Sequence, residues 1–198
     1  MNDEELMAAV AQGDRRSYDA LVRAHLPAIT RYSLRMLGNG RDIEDVAQET
    51  FLRLWVNAKK WDPGKAKLST WLHRIAHNLC IDLLRKQQRV LLGERFDEEL
   101  DSNSNFDSSL SSAIVEQAKE EPSSQQTIEK DSELSALNMA ISKLPETQRS
   151  ALLLCYYQGF SNKEAADITG LSVRALESLM ARAKRSLRTQ MEAQYSER

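Results

Sequence analysis

The sequence predicts an all-α protein of two small helical domains joined by a flexible acidic linker, the C-terminal domain carrying a helix-turn-helix. Three observations predict it. Among 198 residues there are only seven Gly and four Pro, and alternating β-branched runs are few, so strands and tight hairpins have little support. Apolar residues recur at i, i+3, i+4 and i+7 in several long segments, the spacing of a buried helical stripe. Midway along the chain that spacing gives way to a stretch of Ser, Asp and Glu.

The first domain spans residues 1–92, with helices expected near residues 3–12, 15–37, 42–58 and 69–88 and breaks at "LGNGRD" and "WDPGKAKLS". In "DIEDVAQETFLRLW", Ile43, Val46, Ala47, Thr50, Phe51, Leu54 and Trp55 fall on one face and form a core stripe. The opposite face carries Asp45, Gln48 and Glu49, as solvent would favour, yet Leu52 and Val56 sit among them. A solvated face does not require those two apolar side chains.

In "STWLHRIAHNLCIDLLRKQQR", Leu68, Leu72, Ile75, Ala76, Leu79 and Leu83 make the core stripe. Arg74, Asn78, Asp82 and Arg85 line up beside it, next to Trp71, and the preceding loop adds Lys65 and Lys67. An aromatic ring, an amide and a carboxylate flanked by cations suit a single-stranded nucleic acid: rings stack on bases, while Asn and Asp bond base edges. Trp71 fits a core position equally well. His73, His77 and Cys80 share a face at i, i+4 and i+7, and two of them have the spacing of a helical zinc pair. No fourth ligand or supporting carboxylate accompanies them, so they read as packed helix-surface residues, and no metal is expected.

Residues 93–131 are poor in large apolar side chains and cannot bury enough surface to offset ordering entropy. They read as a flexible linker with a transient helix near residues 114–118. The second domain spans residues 132–198. Pro145 stands at a first helical position, Gly159 ends a run, Ser161 with Glu164 spells a capping box, and Ser172 caps a last helix. "NKEAADITGLSVRALESLMARAKRSL" thus has a short helix, a glycine turn and a longer basic helix, the layout of a helix-turn-helix. Val173, Leu176, Met180, Ala183 and Leu187 face inward; Arg174, Ser178, Arg182 and Arg185 face outward. Arg174 and Ser178, near the helix start, are placed to read bases. Arg182, Lys184, Arg185 and Arg188 suit phosphates.

Charge is segregated although the net charge is only −2. Residues 65–95 hold seven Lys or Arg against two acids, residues 96–133 two against eleven, and residues 172–198 six against three. Two basic segments around an acidic one suggest nucleic-acid contact at two places. The two cysteines, Cys80 and Cys155, read as buried thiols of a reducing compartment. No apolar run spans a membrane and "MNDEELMAAV" lacks the features of a secretory signal, so a cytoplasmic location is expected. No nucleophile, base and orienting group assemble into a catalytic set. Neither enzymatic activity, cofactor nor small-molecule substrate is expected.

"DIEDVAQETFLRLW", "STWLHRIAHNLCIDLLRKQQR" and "LPETQRSALLLCYYQGFSNKEAADITGLS" together resemble regions two and four of the bacterial extracytoplasmic-function sigma factors of RNA polymerase, within the sigma-70 family. The resemblance covers most of the chain apart from the linker. It implies that Asp45, Gln48, Glu49, Leu52 and Val56 dock on the clamp helices of the largest polymerase subunit, with leucine as an interface centre inside a polar rim. It implies that Lys65, Lys67, Ser69, Thr70, Trp71, Arg74, Asn78, Asp82 and Arg85 capture the unwound strand and a flipped base of the promoter −10 element. Ser172, Arg174, Ala175, Ser178, Arg182 and Arg185 would then contact the −35 element. The polymerase flap region, promoter DNA and an anti-sigma factor are further implied partners. Where the family often has Lys or Arg and, two residues later, Arg, this sequence has Glu177 and Leu179, so its −35 sequence does not follow by analogy. Glu177 suits a cytosine amine or an i, i+3 pairing with Arg174. A helix-turn-helix repressor or activator working without polymerase is the other class considered; no dimerisation helix supports it.

Overall fold

The computed structural model describes residues 2–38, 41–91 and 136–196. Every regular element among them is helical. In chain order these are α1 (Asp3–Ala11), α2 (Arg15–Leu37), α3 (Arg41–Asn57) with a short 3-10 turn at Ala58–Lys60, and α4 (Leu68–Leu91). After the break come α5 over residues 136–142, α6 (Glu146–Leu152) running into a π turn at Leu153–Tyr157, α7 (Asn162–Thr169) and α8 (Val173–Ser196). The expected helix near 114–118 and the linker as a whole lie outside the described residues.

Local chemistry explains most of the boundaries. Asn2 accepts from Glu5 N at 2.9 Å while Glu5 bonds back to Asn2 N, which starts α1. Asp14 accepts from the amides of Arg16 and Ser17 and starts α2, and the Ser17 hydroxyl donating to it at 2.6 Å, with those amides, holds its carboxyl below the usual carboxylate range. Gly38 at φ 73° ends α2, a left-handed position that suits glycine. Pro145 stands one residue before α6, as its N-cap, rather than inside it.

α2 is the spine of the first unit and packs against α1, α3 and α4. Leu21, Ile29, Tyr32, Met36, Leu54, Leu68 and Leu72 are fully buried there. The expected α3 stripe is buried from Ile43 to Leu54, while Trp55 is half-buried with its ring edge-on to Tyr18 at 5.3 Å. In the second unit α6 packs on α8 and α7 on both α8 and α4. The α7–α4 contact joins the units, and one apolar cluster continues from Leu6 through Leu153 and Ile168 to Ala183.

Three details of the expected faces are corrected. α4 is covered on more than one side, by α2 and α3 and by α7, so its buried surface is wider than a single stripe. His73, His77, Cys80 and Ile81 are therefore buried, whereas Ile75, Leu79 and Leu83 are only partly so. In α8, Leu176 and Ala183 are buried and Met180 and Leu187 pack against the core, but Val173 at the first helical position stays exposed. Cys155 is half-buried, not buried; both cysteines are free thiols.

One side chain stitches the units. The Arg149 guanidinium donates to the carbonyls of Met36, Ser142 and Leu144, the last at 3.0 Å. It thus serves main-chain acceptors near the ends of α2 and α5, where helices leave carbonyls without internal partners.

Candidate functional site

Three surfaces carry the residues singled out by sequence. On α3, Leu52 is 45% and Val56 66% exposed, far above the core positions one turn away. Asp45 is exposed, and Gln48 and Glu49 are half-buried beside them. Arg53 Nε donates to Glu49 Oε1 at 2.6 Å, one helical turn along. The result is two bare apolar side chains rimmed by acids, one acid already carrying an internal partner.

On α4, Arg74, Asn78 and Asp82 are all exposed, three to four residues apart on one line. Cations stand at both ends of that line, and both are engaged. Lys67 Nζ lies 2.9 Å from Glu164 Oε1, and Arg85 Nε lies 3.8 Å from Glu146 Oε1. Lys65 is exposed with Asp62 at 3.7 Å. Trp71 is half-buried and packed on the core cluster, so its ring is only partly open to a base. Thr70 is 5% exposed, and Ser69 half-buried, so neither stands out on this surface as the exposed residues do.

Beneath the line sits a small buried polar group. Tyr32 Oη and His77 Nδ1 share a hydrogen bond of 2.9 Å, and His73 Nδ1–H donates to the Ser69 carbonyl at 2.9 Å. Burial lowers both imidazoles to about 4, so the rings are neutral near pH 7. Burial also pushes the Cys80 thiol up to about 12. The Phe160 ring meets His73 edge-on at 4.8 Å between centroids. No group of three or more His, Cys, Asp or Glu among the described residues could hold a metal ion.

The third surface is the start of α8. Ser161 and Glu164 form the expected capping box on α7, Gly170 at φ 72° turns the chain, and Ser172 Oγ accepts from Ala175 N at 3.2 Å to start α8. Ser172, Arg174, Ser178, Arg182 and Arg185 are exposed together, and Ala175 is half-buried at their base. Glu177 is exposed among them and accepts from Asn162 Nδ2 at 3.3 Å, which ties its carboxylate to α7 rather than to Arg174. Further along, Lys184 lies over the Tyr156 ring at 4.9 Å and Arg188 donates to Glu192 at 2.9 Å.

Sequence reasoning missed the partners that cross between units: Arg149, Phe160, Glu146 and the second role of Glu164. Glu164 was readable only as a capping residue. Lys67, with the Ser161 bonds, brings its carboxyl down to about 2.

Comparison with known proteins bears on both units. Residues 21–90 match the family described as Sigma-70 region 2, and residues 134–187 that described as Sigma-70, region 4. The chain is 33% identical over 202 residues to the ECF RNA polymerase sigma factor SigE of Mycolicibacterium smegmatis, covering 99% of this chain and 72% of that protein. It is 31% identical to the ECF RNA polymerase sigma factor SigW of Bacillus subtilis, over 92% of each. Among solved structures, CnrH in complex with the cytosolic domain of CnrY is similar at a TM-score of 0.65 and 25% identity, over 96% of this chain and 97% of that one. The sigma factor RpoE of Bartonella quintana, in complex with the anti-sigma factor NepR, shares the fold at a TM-score of 0.66 and 21% identity, over 89% and 98% of the two chains.

Proposed function

Because the chain belongs to the extracytoplasmic-function sigma factors of the sigma-70 family, we propose that its three exposed surfaces divide the work of transcription initiation between them. It is a sigma factor: it binds core RNA polymerase and directs it to promoters. Asp45, Gln48, Glu49, Leu52 and Val56 dock on the clamp helices of the largest subunit, with Leu52 and Val56 as the desolvated centre. The α4 line of Arg74, Asn78 and Asp82, with Lys65, Lys67, Ser69, Thr70, Trp71 and Arg85 around it, receives the melted −10 strand. Arg174 and Ser178 read the −35 element in the major groove, while Ser172, Ala175, Arg182 and Arg185 position α8 on the duplex.

The observation that carries this reading is an acid-rimmed apolar pair on one unit and a basic, capped recognition helix on the other, within a single chain. The units correspond to residues 1–92 and 132–198, with 93–131 as their connector. The flap region of polymerase is the second docking partner, and the chain supplies no catalysis of its own. An anti-sigma factor binds and controls it, in keeping with the complex that the structural neighbour RpoE forms with the anti-sigma factor NepR, and the genes it serves respond to stress or another signal. Since no described helix is long and apolar enough to cross a membrane, the expected site of action is the cytoplasm.

Transcription in vitro by purified core polymerase on a promoter library, with and without this protein, tests the reading. Transcripts that require both components support it and report the promoter sequence. No transcript, with specific duplex binding by the protein alone, transfers it to the polymerase-independent class.

A further inference from the structure

We propose that Asn162, at the start of α7, is a positioning residue for −35 recognition. Its side-chain amide fixes the Glu177 carboxylate of α8 with one oxygen left for an exocyclic base amine, and the Cys155 thiol sets the direction of that amide. The inference rests on the sigma-factor reading and places a determinant of sequence choice outside the recognition helix.

Three side chains from three elements form one chain of hydrogen bonds. Cys155 Sγ, in the π turn, donates to Asn162 Oδ1 at 3.8 Å, and Asn162 Nδ2 donates to Glu177 Oε1 at 3.3 Å. An amide has one accepting end and one donating end, a thiol donates, and a carboxylate only accepts. One orientation of Asn162 therefore serves both neighbours, whereas a flipped amide would set its oxygen against the carboxylate. Burial pushes the Cys155 thiol above its ordinary pKa, so Sγ keeps the proton it donates. Ser161 and Glu164 cap α7 between themselves, which leaves the Asn162 side chain out of the cap.

The chain of bonds decides between two partners for Glu177. Glu177 is the fifth residue of α8, in the N-terminal part that faces base edges, and Arg174 stands three residues before it. Residues at that spacing pair readily on a helix. Paired with each other, the two would each withdraw a group from the groove. With Oε1 drawn toward α7, Oε2 is left to accept from a cytosine amine, and Arg174 is left for the N7 and O6 acceptors of guanine. An unheld Glu side chain would also sample several rotamers and turn away from the phosphates. Fixing it before the duplex arrives removes that ordering from the cost of binding.

The test is transcription by core polymerase with the full-length chain on a promoter library randomised across the −35 element. The wild type is compared with Asn162→Ala, Asn162→Asp, Cys155→Ala and Cys155→Ser. Asn162→Ala is expected to cut the cytosine preference by about threefold or more, the worth of one hydrogen bond, and to weaken the guanine preference one helical turn away. Asn162→Asp, a residue well suited to a helix start, should do the same by setting carboxylate against carboxylate. Cys155→Ala should act in that direction to a smaller extent, and Cys155→Ser, which keeps a donor, should retain the wild-type preference. Base preferences unchanged in both Asn162 variants overturn the proposal, as does a uniform loss of transcription with the preferences intact, which is a structural effect. A wild type without the cytosine preference overturns it too. The two readings fail separately: if the wild type yields core-dependent transcripts and the Asn162 variants select the same bases, positioning fails alone; if the wild type yields none, the sigma reading fails.

Discussion

At the scale of single residues, Arg149 ties the second unit to α2 while also serving its own unit's carbonyls. Its guanidinium serves three carbonyls, one of them 113 positions away in sequence, and burial lowers its pKa from the usual arginine value. Arg149→Ala removes charged hydrogen bonds and leaves acceptors bare, so urea denaturation is expected to show a loss of about 2–3 kcal/mol. A loss below about 0.5 kcal/mol would put the stitch elsewhere. His73 and His77 make a second residue-scale prediction. Each titrates near 4 in the fold and near 6.5 in the unfolded chain, so the unfolded chain binds more protons between those values. Stability is full above pH 6.5, falls as pH drops toward 4 by up to about 3 kcal/mol per ring, and loses nothing further from this source below 4. Thermal unfolding from pH 7.5 to 4 checks it: the melting temperature should fall through that window, and fall less steeply in His77→Gln. These residues also show what a sequence hides. The His73, His77 and Cys80 spacing was visible, but its meaning as a buried face depended on a Tyr32 hydroxyl from α2 and a Phe160 ring from the second unit.

At the scale of elements, much was readable because the causes are local. The Ser161–Glu164 capping box, the Gly170 turn and the Ser172 cap each lie within three or four residues of what they control, and the structure has all three. The α3 stripe was readable for the same reason, since a 3.6-residue period needs no knowledge of the partner. The exposed face of α3 predicts an interface centred on Leu52. Leu52→Asp is expected to weaken binding to core polymerase by about thirtyfold or more while the far-ultraviolet circular dichroism and melting temperature stay near wild type; Glu49→Lys should act in the same direction. On α8, Glu177 is held by Asn162 at 3.3 Å with its other oxygen free for a base. A carboxylate there accepts from the amine of cytosine. Selection of active promoters from a randomised −35 library should therefore show a cytosine preference that Glu177→Lys abolishes; an unchanged preference would remove Glu177 from base reading.

At the scale of the whole molecule, the expectation of two small helical domains joined by a linker was silent on how the two domains meet. Nothing local in "NKEAADITG" marks it as the partner of α4, because that contact joins surfaces nearly a hundred residues apart, and each surface satisfies its own unit's periodicity without it. The charge pattern carried the only hint: basic α4 faces acids of α6 and α7 despite the overall basic character of the C-terminal segment. If these charged contacts hold the units together, a chain cleaved at a protease site engineered between residues 100 and 125 should elute as one species at about 50 mM salt. It should elute as two at about 1 M, where charges this exposed are screened. Two species at both salt concentrations would show that the connector alone keeps the units adjacent.

The Glu49–Arg53 pair on α3 carries a consequence for the speed of assembly. Because Arg53 neutralises Glu49 in the free chain, the docking face projects less negative potential at a distance than its acids could exert at contact. Long-range steering toward a basic surface is correspondingly muted. With α3 as the proposed docking face, the encounter rate with polymerase is expected to depend less on ionic strength than its acids alone would make it. Exchange of Arg53 for a basic partner group then falls after encounter, where it lengthens the lifetime of the complex rather than hastening its formation.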